Sequence, residues 1–374
     1  MKKSLIALAA LATVGAAQAQ SSVSISGLID LGVINRNHDQ TLYSSTGVGP
    51  NGTATSNLTF SGSEDLGGGL RAGFSAQTDW VVGSNATADF LNSQNFVNLT
   101  SAQFGDIRMG NVNTAALSAA TTAQPFGTGI GGGYSGEFSR LSYIGVNGSI
   151  GASGTASTTG NAQAEGEQYT ATNGAISGTR VVRANNTIKY TTPTFNGFSA
   201  SYAKVFNNDN AAANASTGQQ EIAVSYSGKG LNVVAASYEF KADVGAVPTG
   251  GLASGTSVKH NLIGANYAVP MVKGLTVYAG YTTSKHSLAN TADSKSTNFA
   301  VRYELTPKLA VLGNVIKVDD KLSGNKDRDL TGLGLDYSLS KRTLAYVRYE
   351  DANNDKTASN KSIVRTAVGL RHSF

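Results

Sequence analysis

An all-β fold, an antiparallel transmembrane barrel of about sixteen strands, is what this 374-residue sequence predicts. Three observations carry the prediction. Segments of about ten residues alternate apolar and polar side chains with period two, their connections run short and long in turn, and no apolar run after the N-terminal leader reaches the roughly 18 to 20 residues of a spanning helix. A closed barrel is then the remaining way across a bilayer. It satisfies every backbone polar group between strands while needing apolar side chains only at alternate positions.

In chain order, residues 1–19 read as an export leader: Lys2 and Lys3, an apolar run from Leu5 to Ala17, and Ala17-Gln18-Ala19 as a small-x-small cleavage signature. The barrel is expected over 20–374. Val23, Ile25, Ile29 and Leu31 form one face of the first strand; Leu58 with Phe60, then Leu70, Ala72, Phe74 and Ala76, continue the pattern. Further along come Ile222, Val224 and Tyr226; Val234, Ala236, Tyr238 and Phe240; and Ile263, Ala265, Tyr267 and Val269. The clearest cases are Phe299, Val301, Tyr303 and Leu305 against Asn298, Ala300, Arg302 and Glu304, and the C-terminal Val364, Val368, Leu370 and Phe374 against Arg365, Ala367, Gly369 and Arg371. One oily and one charged face require lipid or core on one side and water on the other.

Tight turns are predicted at 65–69, 102–105, 193–197, 228–230, 270–274, 306–308 and 340–342, where Gly, Pro, Asp, Ser and Lys cluster. Longer polar stretches lie near 37–55, 84–92, 207–219, 242–258, 287–295, 320–328 and 352–361. The longest connection, Val112 to Thr179, includes a Gly/Ala/Ser/Thr-rich insertion from Leu141 to Thr179, in which Leu141-Ser142-Tyr143-Ile144 could add a short strand. Short turns fit the periplasmic rim and long loops the outside.

Composition narrows the function. With 44 Gly, 15 Tyr, 13 Phe, 6 Pro and no Cys, the chain suits strands and turns and excludes disulfides, thiolate metal sites and thiol catalysis. Without the leader's two lysines, 27 basic residues face 24 acidic ones, a net charge of +3 that disfavours nucleic acid as a partner. His38, His260, His286 and His372 are too dispersed for a metal site, and no Gly-x-Ser-x-Gly, Walker or His-Glu-x-x-His motif occurs, so neither an enzyme nor a cofactor is expected. Asp319-Asp320 and Glu350-Asp351 read as solvated strand ends. The competing class is a secreted β-rich adhesin without channel activity, against which stands the absence of any fixed-period repeat.

Three segments carry a family resemblance. Phe60 to Leu70 (FSGSEDLGGGL), Asn185 to Tyr190 (NNTIKY) running into Pro193, Phe195, Gly197 and Phe198, and Leu339-Ser340-Lys341-Arg342-Thr343 with the ending Val368 to Phe374 together resemble the general porins of Gram-negative β-proteobacteria. The resemblance implies a sixteen-stranded barrel, a homotrimer in outer-membrane lipid, and a third loop folded into the lumen. It also implies that Phe374 is a signal to the barrel-assembly machinery. Gln124-Pro125-Phe126-Gly127-Thr128-Gly129-Ile130 is similar to the family's loop-three segment, and Glu137 follows. A barrel this wide needs such a loop, because wall side chains alone cannot fill it.

Alternation then sorts the charges. Arg71, Arg108, Arg183, Lys189, Arg302, Arg348, Arg365 and Arg371 fall on the water side with Asp30, Asp79, Asp106, Glu239, Glu304, Asp336 and Glu350. An arginine on the lipid face would cost about 2–4 kcal/mol near the midplane. By resemblance Arg183, then Arg71, is expected at the narrowing, facing Glu137. Asn57, Ser61, Gly110-Asn111-Val112 and Gln124 stand where members of the family it resembles carry charge, which predicts weaker selectivity than a strongly anion-selective relative would show and a preference for a polar uncharged or a specific solute.

Overall fold

The computed structural model describes residues 22–38, 44–80, 82, 90–133, 183–206, 217–242, 257–286, 294–320, 328–353 and 362–374. The expected leader, Glu137, and the insertion from Leu141 to Thr179 lie outside them. Among the described residues, seventeen strand segments form one antiparallel sheet closed on itself. They are β1 (Ser22–His38), β2 (Ser45–Pro50), β3 (Asn57–Gly67), β4 (Leu70–Asp79), β5 (Asn95–Ser101), β6 (Gly105–Asn113), β7 (Arg183–Thr191), β8 (Phe198–Val205) and β9 (Thr217–Gly228). The rest are β10 (Leu231–Ala242), β11 (Ser257–Ala268), β12 (Leu275–His286), β13 (Ser294–Glu304), β14 (Leu309–Asp320), β15 (Arg328–Ser338), β16 (Thr343–Asn353) and β17 (Ser362–Ser373). One helix, α1 (Ala115–Thr122), follows β6.

Closure is made by β17 on β1, with Leu28 opposite Ser373 and His38 opposite Ile363. On its other edge β1 pairs with β2 over Leu31–Arg36 and with β3 over Ser22–Leu28. Two segments therefore share one wall position, and the barrel has sixteen. The interruption, residues 51–56, lies at the end of the stretch near 37–55 expected to be a loop; β2 inside that stretch is new, because a single Val48 between Gly47 and Gly49 offers no alternation to read.

Side chains sort by phase. Val23, Val33, Val97, Ile222, Phe299, Leu333 and Val368 stand exposed on the outer surface, and Phe104, Phe195, Phe198, Tyr303 and Tyr337 form an aromatic row near the short turns, where ring systems suit the bilayer interface. Phe374 closes the girdle. Its N–H donates to the Gly27 carbonyl at 3.0 Å and its carbonyl accepts from Gly27 N–H at 3.3 Å. Its ring covers Gly27 so closely that a Cβ there would lie 2.8 Å from Cζ.

One strand is phased the other way from expectation. Ala236 and Tyr238 of β10 are buried on the inside, and Glu239, expected on the water side, shares the outward phase with Ser237. The reason is α1, whose alanines pack against Val234, Ala236, Ala223 and Leu262. Where an inward loop covers the wall, both faces are apolar, and alternation cannot tell lumen from lipid.

Candidate constriction site

Loop 114–133 crosses the lumen pinned to the wall along its length. Thr114 caps α1, its Oγ1 accepting from Leu117 N–H at 3.1 Å, and the Ala-rich run Ala115-Ala116-Leu117-Ser118-Ala119-Ala120 has high helix propensity. The two first amides of the helix donate to one carboxylate: Ala115 to Glu221 Oε2 at 2.7 Å and Ala116 to Oε1 at 2.9 Å. A carboxylate at a helix N-terminus also complements the macrodipole. Lys189 Nζ lies 3.8 Å from Glu221 and donates to the Asn113 carbonyl at 3.0 Å. At the other end Asn266 Nδ2 donates to Thr122 O and Asn298 Nδ2 to Ala123 O, both at 3.0 Å. Small residues allow this contact: a Cβ on Gly264 would overlap the Ala119 carbonyl oxygen.

The tip is held as firmly. Gly131 and Gly132 N–H donate to Glu350 Oε2, each at 2.8 Å, and Glu350 Oε1 accepts from Arg365, with Nε at 2.9 Å. Asn314 Nδ2 donates to Gly132 O at 3.0 Å. Ile130 packs on Ile34, Tyr346 and Ala367, and the Arg348 guanidinium lies 5.6 Å from the Phe126 ring centroid and 5.4 Å from that of Tyr346. Residues 51–56 dip inward to complete the clamp: Gly52 O accepts from Ile130 N–H at 3.1 Å and Thr55 N–H donates to Thr128 Oγ1 at 2.9 Å. Buried Asp30 organises that dip, accepting from Thr53 N–H (2.7 Å), Thr53 Oγ1 (2.5 Å), Ala54 N–H (2.8 Å) and Tyr346 OH (2.6 Å).

The aperture's chemistry follows. Loop 114–133 contains no charged residue. The loop's contacts run from β9 to β17 and β1, leaving β3–β6, whose inward positions carry Thr59, Ser61, Ser75, Gln77 and Asn98. Ser61 shares a 2.9 Å hydrogen bond with Ser24. Arg108 belongs to this stretch, stacked 4.8 Å from the Phe96 centroid with Nε 2.6 Å from Asp106.

The remaining expected site residues fall at different heights and in different roles. Arg302 faces the lumen near the short turns and is compensated by Asp336 at 3.3 Å and Glu304 at 3.5 Å. Arg348, 2% exposed, pairs with Asp336 at 2.6 Å, and Arg365, 8% exposed, pairs with Glu350; both lie beneath the loop and out of the open water where they were expected. Arg71 sits beside the β3–β4 turn, opposite Asp65 in register, at the rim and away from the narrowing. Arg183 is shifted by a bulge. Val112 pairs with Ala184 but Gly110 with Thr187, an extra residue carried by Asn186 in the left-handed region (φ 53°). Ala184 therefore takes the buried inward position, and Arg183 ends at the loop-side rim with Nη1 3.1 Å from Asp79.

Two further expectations change. Glu350 is no solvated rim residue: at 1% exposure it anchors the loop, because the loop's own amides replace water around it. Gln124, read as a charge lost from the aperture, folds onto its own loop, accepting from Phe126 N–H at 2.5 Å and donating to Gly127 O at 2.9 Å. Sequence reasoning missed the latch residues Glu221, Asn266, Asn298 and Asn314, for which the only available signal was polar residues within otherwise apolar inner phases. Among the described residues no cluster of three or more potential metal ligands occurs.

A family model described as Gram-negative porin matches residues 5–357. Outer membrane porin protein 32 of Delftia acidovorans is 42% identical over 133 residues, and an outer membrane porin protein of Bordetella pertussis is 32% identical over 148 residues. Each match covers 35% of this chain and 38% of the relative, so the aligned part spans little more than a third of those proteins. The anion-selective porin from Comamonas acidovorans has the same fold, with a TM-score of 0.72 at 23% identity over 95% of this chain and 100% of that one. OmpF of Salmonella typhi, in complex with daunomycin, superposes with a TM-score of 0.59 at 14% identity over 94% and 97%.

Proposed function

The chain belongs to the Gram-negative porin family and is an outer-membrane β-barrel, and from that premise we propose that its lumen conducts ions and small hydrophilic solutes passively and with weak charge selectivity. The observation that supports the reading is the pinned loop without a charged side chain over 114–133, set in a wall where Arg108, Arg302, Arg348 and Arg365 are each matched by a carboxylate. Local potential sets the sign of a permeant ion, and paired charges leave little of it. Of the residues expected to line the pore, Arg108 and Arg302 touch the open path, while Lys189, Arg348 and Arg365 hold the loop that narrows it. No chemical transformation and no cofactor take part. In a planar bilayer across a KCl gradient, the expected reversal potential is a small fraction of the Nernst value; a strong anion preference overturns the reading.

The proposal extends to biogenesis and assembly. Residues 1–19 are removed on export, and Phe374 marks the exported chain for the assembly machinery and, once the barrel is folded, seals β17 on β1. Truncating Phe374 is expected to lower the heat-modifiable, folded form several-fold in outer-membrane fractions while leaving the exported chain detectable; an unchanged folded fraction would remove that role. Three copies associate through the aliphatic outer face around β17, β1 and β3, where Val23, Ile25, Val33, Val368 and Leu370 project. A trimer form is described for OmpT of Vibrio cholerae, a neighbour with a TM-score of 0.62.

A further inference from the structure

We propose that the lumen wall left open by the inward loop carries a binding subsite for a neutral polyhydroxylated solute, a sugar or sugar alcohol, centred on Phe96. The subsite presupposes a passive, weakly charge-selective lumen and names the class of solute that such a lumen favours. Two inner-phase rows build it. Ser24, Ser61, Ser75 and Phe96 stand opposite one another in register across β1, β3, β4 and β5, and Ser26, Thr59 and Gln77 form the next row toward the long loops. The side chains of Thr59, Ser75 and Gln77 are half-buried and make no hydrogen bond among the described residues. Each hydroxyl or amide can both donate and accept. These rows carry no charge with which to attract an ion, whereas a solute whose hydroxyls also donate and accept can replace water on each of these groups.

Phe96 fixes where such a solute would rest. Among the described residues it is the one aromatic side chain on the inner phase of β3–β6, half-buried and beside open water. Covering an apolar ring with a carbon face is favourable. Arg108 Cζ lies over the same ring, 4.8 Å from its centroid, and its Nε is tied to Asp106 Oδ2. Asp106 Oδ1 in turn accepts from Asn98 Nδ2 at 2.8 Å and Thr100 Oγ1 at 2.5 Å. The carboxylate is thereby saturated and offsets the guanidinium charge. Arg108 stays 40% exposed, and its two Nη groups have no partner among the described residues. A rigid fork of two free donors beside an aromatic ring matches a pair of neighbouring hydroxyls on a ring with a C–H face. The height fits as well, because Arg108 stands opposite Lys189, whose ammonium holds the Asn113 carbonyl where the inward loop begins. A solute passing the narrowing meets this platform.

Single-channel recording of the full-length barrel in a planar bilayer at constant KCl, with sucrose as the probe, tests the site. Sucrose is expected to reduce the current saturably, with a half-blocking concentration on the order of millimolar. Polyethylene glycol of the same hydrodynamic radius, which lacks neighbouring hydroxyls, is expected to reduce it without saturation. Phe96→Ala is expected to raise the half-blocking concentration about tenfold or more. Gln77→Ala is expected to raise it several-fold, so the test survives if the Phe96 variant does not assemble. Val97→Ala, on the outer phase of the same strand and 53% exposed, is expected to keep the wild-type block. A parent barrel that conducts with weak selectivity but shows no saturable sucrose block, wild-type block in the Phe96 and Gln77 variants, or equal loss in the Val97 variant would each overturn the subsite alone. A strong charge preference in the reversal potential, recorded on the same membranes without sugar, would instead overturn the weakly selective lumen on which it rests.

Discussion

Replacing Glu350 with alanine is expected to release the tip of the inward loop and to destabilise the barrel. The substitution removes the acceptor of two glycine amides and leaves Arg365, 8% exposed, with no counter-charge. Breaking a buried pair from one side typically costs about 3–5 kcal/mol, because an uncompensated charge stays behind. The loop would remain attached through Glu221, Asn266 and Asn298 at its helical end but swing at Gly131. Single-channel records should show a noisier, larger mean conductance, and the temperature at which the folded form is lost in detergent gels should drop. Wild-type noise and wild-type heat resistance together would show that the carboxylate does not hold the loop.

A substitution at Gly264 is expected to act in the opposite direction on conductance. A Cβ there would overlap the Ala119 carbonyl oxygen, a backbone atom that no rotamer change can move. With Gly264→Val the wall gains a residue favoured in strands, so the barrel should assemble while α1 is pushed toward the centre of the lumen. Conductance should fall markedly. Gly313→Val is the matched control, since its Cβ would meet only Val301 Cγ2 at an ordinary 3.6 Å. Equal currents through both variants would mean that α1 does not sit on β11.

How much of the fold and site is legible in the sequence follows from what alternation measures. Period-two patterning reports which side chains share a face, so β13 and β17, whose two faces differ sharply in polarity, can be phased from Phe299, Val301, Val368 and Leu370. It fails where a third layer makes both faces apolar, which is why Tyr238 reads as lipid-facing although it lies buried on the inside. It also fails across a bulge. Asn185-Asn186 are visible as family-like residues, but nothing local to them announces the extra residue that turns Arg183 away from the phase of Lys189. The start of α1 does carry a local signal, since Thr114 followed by an alanine-rich run is an N-cap signature. Glu350 carries none, because its burial comes from Gly131 and Gly132, more than two hundred positions away in the chain.

The chain has no cysteine, so a single introduced thiol reports on its own position. Ser75 and Phe74 are neighbours on β4, the serine on the inward phase and the phenylalanine 40% exposed on the outside. With the barrel conducting in a planar bilayer, a bulky, charged, water-soluble thiol reagent should step the current down for Ser75→Cys and leave it unchanged for Phe74→Cys. Loss of current at position 74 with none at 75, or lipid films that stay electrically silent with both variants and the parent chain, would contradict a water-filled lumen bounded by these strands.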